Sequence, residues 1–414
     1  MIKTQPSRFL LGAALLAIAL LILPSAVRAR ECPVEKCLDN KCELPVCKCA
    51  SRSVPGNHSL NTAPQLVVFT FVGPLNSDSW YPLRRLFKDD KKNPNGEPIT
   101  MTLFVSDTDT DDYCRAGEFY RDGHEIGVNG VSDKDTMDSF ISDDWEELIM
   151  SQKEIITTEA KIDKKDIKGM HVPGLKKKAS DALFIAIEHM SDEAKYEARA
   201  WKPYDSSIVY GENIPLKNQA PLWPYTVNYK SDDKVCPDDV NVCNHPAHCY
   251  DGVWEVPVRL FYDNVSLPNV FIDEWAAPEN EEMLYYTLVH NFWEHYAVNR
   301  APFVIKVHTD WFKKSRFAEK ALERFIAVVL AHDLQDVYVV SMEQMLEWVK
   351  DRKKLNEIKD SGLFKRTKTR SGVRCNMATL EADGKVSGTA MVLVESAILL
   401  VLLVVFIVKD RAED

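Results

Sequence analysis

The chain has 414 residues, with 51 Lys and Arg against 62 Asp and Glu, a net charge of −11. Apolar residues make up 45% and charged residues 27%, an ordinary globular composition that excludes a disordered or collagen-like chain. The acidic balance speaks against nucleic acid as the main partner, since phosphate binding needs a dense basic footprint, and the length suits one large α/β domain or two smaller ones.

At the N-terminus Lys3 and Arg8 precede an apolar run from Phe9 to Leu23 and then small residues up to Ala29. A charged start, a short apolar stretch and Val27-x-Ala29 predict a secretory signal peptide over 1–29. Residues 30–50 form a Cys-rich segment, with Cys32, Cys37, Cys42, Cys47 and Cys49 close together. Cys236, Cys243 and Cys249 make a second group, while Cys114 and Cys375 stand alone. Both groups are odd in number, so full oxidation requires at least one bridge between groups. A zinc site in the N-terminal cluster is the competing reading, but no His accompanies it and the implied compartment is oxidising. The sequons at Asn57 and Asn264 suit an extracellular surface.

The main domain is expected over 51–351. Leu66–Phe71 is a continuous apolar run of the kind buried on both faces of a parallel sheet, and similar runs recur at Met101–Val105, Glu125–Val128, Phe303–Val307 and Val337–Val340. Helical patterns lie between them. Trp145, Leu148, Ile149, Ile155 and Ile156 share a face behind Ser142 as N-cap, and Phe317, Ala321, Phe325 and Val329 repeat every four residues. Ser341 and Gln344 form a capping box. Strands alternating with helices predict an α/β layer or barrel architecture. The basic segment within 352–389 reads as a solvated juxtamembrane stalk. Ala390–Val408 is almost wholly apolar and, at about 1.5 Å per residue, roughly 28 Å long, enough for a membrane helix. Lys409 and Arg411 then place 409–414 in the cytosol, giving a type I cell-surface protein. A cleaved GPI signal, or simple secretion, is the alternative to the span.

Gly123-His124-Glu125 invites a zinc-protease reading, which fails because the position four residues after His124 is Val128 and the segment reads as a strand. No Gly-rich phosphate loop or Gly-x-Ser-x-Gly elbow is present. His308 ends an apolar strand beside Trp311, either as a satisfied core histidine or as an acid or base at a barrel mouth.

The order of short strings is more specific. CELPVCKCA (42–50), NPNGEPI (93–99), GHEIG (123–127), YDSS (204–207), PLWPYTVNY (221–229), WEVP (254–257), NFWEHY (291–296), NRAPF (299–303) and then His308-x-x-Trp311-Phe312 follow one another. In these the chain resembles the invertebrate chitin deacetylase-like proteins of the polysaccharide deacetylase superfamily (carbohydrate esterase family 4), from about Cys37 to Trp348. The resemblance implies an α/β fold, a distorted (β/α) barrel, and, in active members, zinc-dependent hydrolysis of N-acetyl groups from chitin.

Against that pattern the first strand ends Thr70-Phe71-Val72-Gly73, where active relatives carry the base and a metal-binding Asp. The stretch matching their His-Ser-x-x-His is Asn129-Gly130-Val131-Ser132-Asp133, which leaves at most Asp133 as a ligand. His171 stands for the family Arg, Asn228 for an Asp and Glu97 for a cysteine, so no disulfide pairing is carried over wholesale. His308, the family's acid candidate, remains. The resemblance therefore implies a fold kept without its metal chemistry, with no cofactor, binding a polysaccharide such as chitin or another partner. Tyr204, Asp205, Trp223, Trp254 and Trp311 are the candidate lining of a sugar cleft, with core packing as the competing role of the Trp residues. The alternatives are an enzyme rebuilt around His308, Asp205 and Asp133, with zinc, and a structural or adhesive protein without a sugar site.

Overall fold

The computed structural model describes residues 31–33, 37, 41–130, 139–172, 177–193, 203–210, 220–229, 246–262, 270–274, 280–366, 372, 373 and 375. The expected leader, the 390–408 span, the 409–414 tail, Asp133, Asn264, Cys236 and Cys243 lie outside the described residues. No helix among the described residues is long and apolar enough to cross a membrane.

The strands are β1 (Gln65–Gly73), β2 (Thr102–Val105), β3 (Glu125–Asn129), β4 (Gly169–His171), β5 (Tyr204–Asp205), β6 (Val209–Tyr210), β7 (Tyr225–Thr226), β8 (Trp254–Glu255), β9 (Val258–Arg259), β10 (Phe303–His308) and β11 (Val337–Val339). The helices are α1 (Ser77–Leu86), α2 (Cys114–Arg121), α3 (Ser142–Ala160), α4 (Lys177–Glu193), α5 (Glu281–Tyr296), α6 (Trp311–Lys314), α7 (Ala318–Val329), α8 (Met342–Asp351) and α9 (Leu355–Ser361). One sheet runs β10-β1-β2-β3-β4-β5-β8-β7, with β11 beside the start of β1 and only the β7–β8 pair antiparallel. Among the described residues no pairing joins β10 to β7, so the expected distorted (β/α) barrel takes the form of an open, curled half-barrel.

Each strand side chain points to the face opposite its neighbour's, and β1 buries both faces. Leu66, Val68 and Val72 enter an inner core with Phe104, Tyr204, Trp254, Trp348 and Tyr338. Val67, Phe69 and Phe71 enter an outer core with Leu83, Leu288 and Phe325 from the helices. Phe69 meets Phe87 edge-on at 5.6 Å, and each such buried ring contributes about 1.5–3 kcal/mol. Parallel pairing gathers the C-terminal strand ends along one edge, the mouth, and the N-terminal ends along the other, the floor.

Two local expectations change. Ser142 is the first residue of α3 rather than its cap; Asp144 reaches back to the Ile141 N–H at 2.9 Å. The described residues of the supposed stalk, 352–366, 372, 373 and 375, pack against the domain. Ile358 and Phe364 are buried, the Arg366 guanidinium reaches Asp89 and His124, and the Gly372 N–H donates to the Lys161 carbonyl at 2.8 Å. A Cβ at Gly372 (φ +87°) would sit 2.5 Å from the Gly117 carbonyl, so only glycine permits this docking. A run rich in Lys and Arg reads as solvated, but its few apolar residues are what dock. The Ser341–Gln344 capping box forms as expected, and Ala321, Phe325 and Val329 are buried on α7.

The described disulfides are Cys32–Cys249, Cys37–Cys49, Cys42–Cys47 and Cys114–Cys375. The five N-terminal cysteines are thus all oxidised, with one bridge crossing to the second group, and no thiolate is left there for zinc. Lys48 and Thr226 exchange backbone and hydroxyl hydrogen bonds, stitching the Cys-rich segment to β7.

Candidate active site

At the mouth, His308 is the best-organised titratable group. Its Nδ1 lies 2.9 Å from Asp273 Oδ2, and its backbone N–H donates to Asp273 Oδ1 at 3.0 Å. Asp273 thereby fixes the ring and turns Nε2 toward Glu274, whose Oε1 lies 4.0 Å away, an arrangement suited to giving or taking one proton. The ring stacks on Phe271 at 3.8 Å, and Phe271 meets His171 edge-on at 5.7 Å. Phe271 is held there because residues 271–272 pair with Lys306 on the free edge of β10. Asp273 and Phe271 were missed in the sequence; the available signal was the same as for His308, a polar residue closing a short apolar run.

Beneath this layer lies a buried charge set. Lys306 points from β10 to the Ser206 carbonyl, and its Nζ is 3.1 Å from His171 Nδ1. His171 Nδ1 donates to that carbonyl at 2.9 Å. Burial pushes the Lys306 amine down to about 7 against the pull of Asp205 and Glu255. Burial, and then Lys306, holds His171 well below the ordinary imidazole range, so its ring is neutral. Asp205 accepts from the Ser207 hydroxyl at 2.7 Å and the Ser207 N–H at 2.9 Å, though burial still raises it. Glu255 is raised well above its usual range by burial and by Asp205. Lys306 is a further residue that sequence reading passed over, because a lone Lys in an apolar strand gives no spacing signal.

At the floor, Glu125 accepts from the Tyr204 hydroxyl (2.6 Å), the Thr102 hydroxyl (2.8 Å) and the Glu343 N–H (2.9 Å). Burial, with Glu343 nearby, pushes its carboxyl up to about 7. A cavity of about 420 Å³ opens beside it, lined by Tyr120, Glu343, Glu347 and Phe364 among others, on the edge opposite the mouth. Glu125 is therefore a structural bridge, and its neighbour His124 is buried against Arg366.

The proposed sugar cleft does not form from its named residues. Tyr204, Asp205, Trp223 and Trp254 are 0–1% exposed and Trp311 is 7% exposed. Trp223 packs on Trp348 at 5.7 Å, and Trp311 joins the outer core, so none offers an open face to a sugar ring. Of the alternative rebuilt site, Asp133 lies outside the described residues; His308 is partnered by Asp273, and Asp205 is enclosed by Ser207, Glu255 and Lys306.

No protein-family model matches the sequence. The chain is 28% identical to Chitin deacetylase 1 of Bombyx mori over 78% of its own length and 58% of that protein's. It is also 28% identical to Chitin deacetylase 8 of Bombyx mori, over 80% of this chain and 82% of the relative. The chain is chitin deacetylase-like. Among solved structures, the peptidoglycan deacetylase PdaC of Bacillus subtilis aligns with a TM-score of 0.36 and 14% identity, covering 73% of this chain and 98% of that one.

That kinship raises the question of a metal, and the described residues do not fit one. Val72 is a buried hydrocarbon paired with His308 across β1 and β10. Gly73 sits at φ +123°, where a Cβ would lie 2.8 Å from Thr309 Oγ1. Asn129 brings an amide oxygen, buried and without a hydrogen-bond partner among the described residues. Among those residues, the groups of three potential ligands within reach of one another are all built on disulfide sulfurs. A hydrolytic zinc centre needs three ligands and an activated water, and among the described residues, which do not include Asp133, no such set meets at the mouth.

Proposed function

We propose that this chitin deacetylase-like protein has given up metal-dependent hydrolysis and acts at the cell surface by binding a polysaccharide, tethered through the 390–408 segment. The observation that carries the reading is Gly73. Its backbone conformation disfavours any side chain, and Thr309 fills the space a carboxylate would need. A carboxylate side chain at this position would therefore be strained in backbone and crowded by Thr309, which supports the reading. The His308–Asp273 pair alone supplies general acid–base assistance worth about 10²–10⁴-fold, far less than amide hydrolysis requires.

Acetate release from N-acetylglucosamine oligomers, measured with and without added zinc, tests this. No release in either condition is expected, together with less than stoichiometric zinc in the purified chain. Zinc-dependent release, abolished by His308→Ala, would establish an active deacetylase instead.

A further inference from the structure

Six large apolar side chains are notably exposed among the described residues, and three of them, Tyr286 (60%), Trp293 (46%) and Val298 (50%), fall on or just after α5. Residues 286 and 293 are two helical turns apart. With Glu282 and His290 they span only about 80° of the helix circumference, and the two rings are separated by roughly 10.5 Å of rise. The opposite side of α5 is fully used, with Leu284, Leu288 and Phe292 in the core. The rings are therefore surplus to folding.

They are also braced. Trp293 meets Tyr296 at 5.0 Å and 85° and Phe292 at 5.7 Å. Tyr286 leans on Tyr285 at 5.5 Å, and the Arg324 guanidinium lies 4.2 Å over the Tyr285 ring. Fixed aromatic faces lose little entropy on binding. The seven-residue rise is about the length of a disaccharide unit, so two alternate pyranose rings of one extended chain can each lie on one aromatic face.

The charge around the rings narrows the ligand. Glu282 (54% exposed) stands on the stripe, Glu281 and Glu294 flank it, and the whole chain carries a net charge of −11. Arg324 pairs with Glu281 and Glu282 and Arg259 with Glu294, so these three carboxylates meet two guanidiniums and the group keeps a small net negative charge. Such a face favours a polymer with positive groups over a polyanion. We propose that the outer face of α5 is a binding stripe for an extended β-linked amino-sugar polymer carrying some free amines, with Tyr286 and Trp293 as its two stacking platforms. The stripe lies on the outer wall rather than at the mouth, and it gives the polysaccharide-binding reading above a place and a ligand class.

The test is retention of the full-length chain on chitosan and chitin beads, comparing wild type, Tyr286→Ala/Trp293→Ala and Tyr286→Phe/Trp293→Phe. Wild type should be retained more strongly on chitosan. The alanine pair should lose roughly tenfold or more, and the phenylalanine pair should keep most of the retention. Equal retention of wild type and the alanine pair, equal loss in both pairs, or no retention of wild type would overturn the assignment. A second readout uses the unaltered protein: chitosan oligomers should protect Trp293 from N-bromosuccinimide oxidation, and absence of protection counts against it. The acetate assay is independent of all these outcomes, so failure of the stripe and failure of the non-catalytic reading are distinguishable.

Discussion

At the floor of the sheet, Glu125 accepts from three donors, and Thr102 both donates to Glu125 and accepts from the Met342 N–H. At the mouth, Asn129 Oδ1, His171 Nε2 and Thr309 Oγ1 are buried with no hydrogen-bond partner among the described residues. Buried polar atoms are normally paired, because leaving one unpaired costs about 1–3 kcal/mol. Around Glu125 the floor follows that rule, although Gln65 Oε1 at the start of β1 is also without a partner among the described residues, and the mouth departs from it at three atoms. Unpaired polar atoms at those strand ends fit the loss of metal positions proposed above.

The comparison breaks first at Glu125. Glu125→Ala strips the acceptor from the Tyr204 hydroxyl, the Thr102 hydroxyl and the Glu343 N–H together, linking β2, β3, β5 and α8. A loss of roughly 3–5 kcal/mol is expected in urea unfolding, with the midpoint falling and the slope unchanged. A loss below about 1 kcal/mol would show the floor to be no better tied than the mouth.

The two edges should also answer pH with opposite sign. Glu125 is raised from 4.5 to about 7, so between those values the folded chain binds the extra proton and stability falls as pH rises. Lys306 is lowered from 10.5 to about 7, so the unfolded chain binds the extra proton and stability rises with pH from about 7 upward. These two groups together put a minimum near neutrality, about 3 kcal/mol deep from the Glu125 side, on which His295, lowered to about 3, and Lys153, lowered to about 7, superpose rises of their own. Glu125→Gln should flatten the acid limb and Lys306→Met the alkaline limb. If either variant flattens the other limb, the assignment of charges to edges is wrong.

How much of this was legible before any coordinates can be judged residue by residue. The five apolar runs became β1, β2, β3, β10 and β11, because a strand buried on both faces has to be apolar throughout. The short strands β4, β5, β7 and β8 were not legible as strands. Two or three residues carry no period, and their pairing is set by neighbours. The chitin deacetylase resemblance was legible from ordered motifs, and it located Val72, Gly73, Asn129 and His308. It also pointed to Trp223 and Trp254 as cleft residues; motif matching reports identity but not which face of a strand or loop a ring takes. Lys306 was invisible for a related reason: its role comes from a contact with Ser206, 100 residues away along the chain.

A restoring substitution sharpens the comparison at the mouth. Gly73→Asp should cost about 1–3 kcal/mol, from the left-handed backbone and the 2.8 Å approach to Thr309, and should bring no zinc to the protein. Adding Thr309→Ala should recover part of that loss by removing the clash but not the backbone strain. Melting curves of the two variants beside zinc stoichiometry separate these effects. Zinc bound one to one by Gly73→Asp alone would mean that the backbone there adapts freely.

The smallest expected effect is the most discriminating. Asn129→Leu removes a buried amide whose oxygen has no partner and puts a hydrocarbon of similar size near the inner core. In a site organised for stability, deleting a buried amide is costly. Here its desolvation is already lost in the native fold, so the change should stay within about 1 kcal/mol and could be stabilising. Urea unfolding of Asn129→Leu set beside Glu125→Ala then reads both edges on one scale. A loss from Asn129→Leu approaching that from Glu125→Ala would mean that the mouth is held as tightly as the floor and that its unpaired atoms are no relic.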